Sequence, residues 1–242
     1  MNRRPAPRVL TYGRRHVPLP VTRTASRLRT ALYVAAIILG LATAAVAHPG
    51  VRAKMRAASR IDFEAVDETL LAAAIVAETN ARRAESGLLP LREHPLLTEM
   101  ARRHAERMVA HDFYSHGDPL DPGLAEPDDR ARRVGIDNPH IGENIHDHGL
   151  IAADGPVYPL GRGRFAARPA GPPLPAYTYR ELARAIVDEW MASRGHRANI
   201  LRRDARQLGV GVRFYWRDGG WPFVKAVEDF QVFDDVDAGA LP

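Results

Sequence analysis

Two β-rich runs near the C-terminus, residues 208–215 and 221–233, are joined through Arg217-Asp218-Gly219-Gly220, a combination of acid and glycines that turns an antiparallel hairpin. The segments ahead of them have a helical period instead. Over residues 66–85 the apolar positions Leu70, Leu71, Ala74, Ile75, Ala77 and Ala81 recur at helix spacing, and Gly87 supplies the stop. A second helix opens at Pro95, a favoured first-turn residue, and carries Leu96, Leu97, Met100, Ala101, Ala105 and Met108 on one face. His104 falls on or beside that face and reads as a packing residue. The third opens at Thr178-Tyr179-Arg180-Glu181, a capping box, and buries Leu182, Ala185, Ile186 and Trp190. It runs into Ser193 and Gly195, so His196 is expected just past its end. Helices first and a hairpin last give an α+β domain.

The intervening stretches are loops by composition. Residues 112–141 are rich in Asp, Pro and Gly, with one basic turn at Arg130, Arg132 and Arg133. Residues 149–176 are dense in proline and glycine, offer neither helical nor strand period, and read as a long surface insertion.

The N-terminal end is a different material. Twelve of the 34 basic residues precede Asp62, the first acid; the 22 that remain face 29 acids, so the rest of the chain carries −7. A nucleic-acid partner is therefore excluded as an expectation, despite the overall +5. Residues 31–47 hold no charge, are centred on Ile37, Ile38, Leu39 and Leu41, and end in Ala45-Val46-Ala47, the small-x-small pattern of a signal-peptidase site. Eight arginines ahead of this run orient it for export. The expected organisation is a leader or anchor helix over 1–47, a linker over 48–61, a folded domain over 62–236 and a tail over 237–242. The product is periplasmic or secreted, touching a membrane only through residues 31–47. With no cysteine the exported chain has no disulfide, and its stability must come from its core.

Three separate segments bring the residue types of a site: Tyr114-Ser115-His116-Gly117, Gly142-Glu143-Asn144-Ile145 and the run from Trp190 to Leu201 that contains Ser193 and His196. Two imidazoles and a carboxylate suit a divalent metal such as zinc, with open positions for water, or a buried hydrogen-bond network. Ser193 and His196 are three residues apart, but no orienting acid or oxyanion feature follows, so Ser193 reads as a cap rather than a nucleophile. Glu189, Arg194 and Arg197 read as solvated residues, Asn144 and Asn199 as loop and helix-end hydrogen-bonders. His146 and His148 could extend a metal site, since a spacing of two on a strand places both on one side; without a second signal they read as exposed loop histidines.

These motifs, in this order, resemble the CAP superfamily, which takes in cysteine-rich secretory proteins, insect venom antigens, plant pathogenesis-related proteins and a bacterial branch. The resemblance rests on Glu78-Thr79-Asn80-Ala81-Arg82-Arg83 with Gly87-Leu88-Leu89-Pro90-Leu91, on the three site segments, and on Leu208-Gly209-Val210-Gly211. It covers roughly residues 68–233 outside the insertion. It implies an α-β-α sandwich with a cleft lined by His116, Glu143, Ser193 and His196, in which His116, Glu143 and His196 would be the ligands of a metal, with no cofactor strictly required. Many eukaryotic members carry a second glutamate three residues after the tryptophan; this chain has Ser193 there. The expectation is an extracytoplasmic binding or interaction module for an unidentified protein, lipid or cell-envelope ligand. The alternative is a metal-dependent, peptidase-like hydrolase using the same cleft.

Overall fold

The computed structural model describes residues 56–153 and 155–237. The arginine-rich leader, the apolar run 31–47, residues 48–55 of the expected linker and residues 238–242 lie outside them. Within the described residues, helix α1 (Glu68–Glu85) is followed by the two-residue strand β1 (Arg92–Glu93), α2 (Pro95–Ala110), α3 (Pro127–Arg133) and β2 (Ile141–Gly149). Then come the short strands β3 (Tyr158–Gly161) and β4 (Arg164–Ala166), helices α4 (Tyr179–Ala192) and α5 (Arg194–Ile200), and the long strands β5 (Ala205–Arg217) and β6 (Trp221–Val232).

Four strands form one sheet in the order β1-β5-β6-β2, antiparallel except for the β1/β5 pair. The expected hairpin is β5/β6, closed by Arg217↔Trp221. Side chains alternate across this sheet. Leu208, Val210, Val212, Val224, Ala226 and Phe230 face the layer of α1, α4 and α5, and pack with Leu71, Ile75, Leu182, Ile186 and Trp190. On the other face Ile145 and Val227 pack under α2 against Ala101, Ala105 and Met108. The α-β-α sandwich is therefore real, and β5 shows what sets its thickness. A Cβ on Gly209 would lie 2.1 Å from the backbone nitrogen of Thr98, and one on Gly211 would lie 2.0 Å from that of Arg102. Only glycine lets α2 lie this close to the sheet.

Local signals worked at the helix starts. Asp67 caps α1 through a 2.9 Å bond from the Leu70 amide, and the Thr178/Glu181 capping box is present in both directions. Two expectations need correction, and a third needs an addition. The proline-rich insertion contains the β3/β4 hairpin, and Phe165 within it is fully buried, its ring 4.3 Å from that of Trp221. The apolar Phe165 and Leu150 attach the segment to the domain, where composition alone suggested a surface insertion without strands. His196 does lie just past the end of α4, but the chain starts again at once as α5, with His196 in its first turn. His146 and His148 lie on β2, half-buried, and are not exposed loop residues.

Candidate functional site

Strand β2 is an edge strand, and the three expected side chains meet around it. Glu143, on its α2 side, has a side chain only 1% exposed. One of its oxygens, Oε1, lies 2.8 Å from Nδ1 of His116, and the other accepts from Nη2 of Arg130. Arg130 is equally buried, at 4%. Its Nη1 donates to the carbonyl oxygens of His116 and Leu124 at 2.6 and 3.3 Å. One guanidinium thus neutralises the buried carboxylate and also holds the backbone of the loop that carries His116. Sequence reasoning saw Arg130 only as one member of a basic turn. Nothing in the spacing separates it from exposed Arg132 and Arg133; what buries it is the direction in which α3 docks.

The charges follow from these contacts. Burial penalises the Glu143 carboxylate, but the His116 hydrogen bond and the Arg130 charge outweigh that and hold its pKa below the ordinary value. The same hydrogen bond raises His116. Its side chain is 53% exposed, so a fixed imidazole faces solvent while its carboxylate partner does not. His196 comes from the other helical layer, its ring centroid 6.3 Å from that of His116. Burial lowers its pKa, and the neighbouring His116 and His146 lower it further.

Behind these rings runs a polar ladder. Asn199 donates from Nδ2 to the Glu143 carbonyl at 3.2 Å and to Oδ1 of Asn144 at 3.0 Å. Asn144 donates to the His196 carbonyl and to Oε2 of Glu228, both at 3.3 Å, and Thr79 donates to Oε1 of Glu228 at 2.6 Å. The indole N–H of Trp190 reaches the Ile145 carbonyl at 3.0 Å, tying α4 to the edge strand. The expected hydrogen-bonding roles of Asn144 and Asn199 hold. Two acids on β6 were missed because they sit inside an otherwise apolar run. Glu228 is pushed up to about 8 by burial, and Asp229, directly opposite Glu143, is pushed well up by burial and then by the Glu143 charge.

His104 is fully buried, with Nε2 at 3.0 Å from the Ser115 carbonyl, and supports the His116 loop from below. Ser193 joins α4 to α5 through its backbone, and its side chain makes no capping hydrogen bond. Glu189, Arg194 and Arg197 are exposed, as expected.

A metal held by His116, Glu143 and His196 together does not fit this arrangement. Both Glu143 oxygens are committed to Arg130 and His116, Nδ1 of His116 is committed to Glu143, and among the described residues no three His, Asp or Glu side chains converge on a common point. Glu143 is the internal support of a solvent-facing imidazole.

The chain is 28% identical over 137 residues to the uncharacterized protein YkwD of Bacillus subtilis (strain 168), a match covering 57% of this chain and 40% of that relative. Among solved structures it is similar to an extracellular protein containing a SCP domain from Bacillus anthracis str. Ames, at 23% identity and TM-score 0.45, covering 68% of this chain and 41% of that one. It is also similar to the CAP domain of Enterococcal PrgA, at 15% identity and TM-score 0.43, covering 78% and 75%. The chain thus spans well under half the length of the first two. A profile of the cysteine-rich secretory protein family, CAP, matches residues 76–227, well over half of the chain and all of the site segments. The protein belongs to the CAP family.

Proposed function

We propose that this CAP domain works outside the cytoplasm as a binding module, presenting the imidazoles of His116 and His196 at the edge of β2 to a protein, lipid or cell-envelope ligand. Export rests on the leader sequence: an arginine-rich start, the apolar run 31–47 and Ala45-Val46-Ala47. Among the described residues no helix is long and apolar enough to cross a membrane.

The observation that carries the binding reading is the commitment of Glu143. A carboxylate with both oxygens bonded, one of them to a buried guanidinium, is not available as a general base or a metal ligand. What it does is hold His116 in one orientation, with Nδ1 inward and Nε2 outward, and pre-organised polar groups on rigid elements are what recognition needs. The hydrolase reading lacks such an observation.

The test is a titration of ¹⁵N-labelled protein with a muramidase digest of cell wall and, separately, with phosphatidylglycerol vesicles. The expected result is shifts at His116, His196 and β2 that disappear in His196→Ala while circular dichroism shows the fold intact. Cleavage of either probe by the parent but not by that variant would replace the binding reading with the hydrolase. Shifts confined to other surfaces would remove the cleft from the account.

A further inference from the structure

Strand β2 carries two more histidines, and on its other face. His146 and His148 alternate with Ile145 and Asp147, so both project toward the α4 layer, opposite Ala226 and Val224. Their ring centroids are 5.4 Å apart with the planes at 34°. That distance can be compared with what a metal demands. A zinc–nitrogen bond of about 2.0–2.1 Å puts each ring centroid about 3.2 Å from the ion, and a tetrahedral angle then separates two centroids by about 5.2 Å. The His146/His148 pair meets this spacing. The His116/His196 pair, at 6.3 Å, would need the two bonds to stand almost in line.

Three further features single this pair out. His148 lies beside Tyr177, centroids 5.8 Å apart and planes at 33°, which restrains its ring, and its Nε2 is buried without a hydrogen-bond partner. Glu189, the residue before Trp190 on α4, is near enough for its charge to be felt by both imidazoles. It is exposed and forms no ion pair among the described residues. Both rings are half-buried, so a cation bound there would be partly shielded from water.

We propose that His146 and His148 form a binding site for a divalent transition-metal ion such as zinc, with Glu189 turning inward as the third ligand and water completing the shell. The three side chains do not already surround one point; the two imidazoles supply the fixed part and the exposed carboxylate the mobile part. The site is independent of the Glu143 network on the opposite face, and does not rest on the binding role assigned to His116 and His196.

The test is calorimetric titration of the metal-stripped full chain with zinc chloride, beside His146→Ala, His148→Ala, Glu189→Gln and His116→Ala, each checked by circular dichroism. Zinc binding is expected in the parent, weakened about tenfold or more by either alanine change in the pair, weakened several-fold by Glu189→Gln, and within about twofold of the parent in His116→Ala. His146→Gln and His148→Gln keep side-chain bulk and carry the same test should an alanine variant fail to fold. No zinc binding in the folded parent would overturn the proposal. So would binding that survives loss of His146 and His148, or binding that disappears only with His116.

Discussion

Glu143 and Glu228 are the same residue type, both buried, on neighbouring strands and one register position apart, yet they end in opposite states. Glu143, on the α2 face, has a guanidinium and an imidazole against its two oxygens and stays ionised below the usual range. Glu228, on the α1 and α4 face, has a hydroxyl and an amide, with Arg83 as its only favourable charge, and is pushed up to about 8. Burial is common to both, so it cannot decide the charge; the presence of a contacting cation does. The contrast separates the two faces of the sheet. Only the ionised acid can hold an imidazole by charge and direction, and it is the one that reaches the solvent-facing ring.

The comparison breaks most visibly at Arg130. Arg130→Met leaves Glu143 buried without its main counter-charge and releases the His116 loop, so unfolding by urea at pH 7 should show a loss of about 3–5 kcal/mol. A loss below about 1 kcal/mol would mean that Glu143 is not held as described. The next effect has the opposite sign. The Glu228 pKa is raised in the folded chain, so the unfolded chain releases its proton near the ordinary carboxylate value while the folded chain keeps it to about 8. Stability therefore falls as pH rises through that window. Glu228→Gln should melt higher than the parent at pH 8 and alike at pH 4, as followed by calorimetry. A variant that melts no higher than the parent at pH 8 would equate the two acids. The smallest effect belongs to His116. Its raised pKa contributes stability that is complete below about 6.5 and lost as pH rises through the folded value. Because the ring is half-exposed, the charge on His116 should contribute under about 1 kcal/mol at pH 5.5, and the cost of His116→Ala should shrink as pH rises through the folded value, leaving the neutral-ring hydrogen bond to Glu143.

Much of this molecule was legible in its residues. Helix α1 could be read from Leu71 and Ile75, α4 from the Thr178 capping box, and the terminal hairpin from Gly219 and Gly220, because each signal acts over a few residues. His116, Glu143 and His196 were legible as a group through their motifs and meet at one edge strand. What escaped is non-local. Arg130 looks like its neighbours Arg132 and Arg133 until α3 docks, and Asp229 looks misplaced in an apolar strand until it faces Glu143 across the register. His146 and His148 had the spacing of a strand but no neighbouring apolar alternation to announce one. The hairpin inside the insertion is pinned by Phe165 on Trp221, a contact between residues 56 positions apart that no local pattern encodes.

The account turns on Glu143 holding His116 through Nδ1, and ¹⁵N NMR titration of the His116 ring in the parent and in Glu143→Gln addresses it most directly. The expected result is a parent pKa above 6.5 with the neutral ring protonated at Nδ1, and a fall in that pKa in the variant. A His116 that titrates at or below 6.5 in the parent, or that is indifferent to Glu143→Gln, would contradict it.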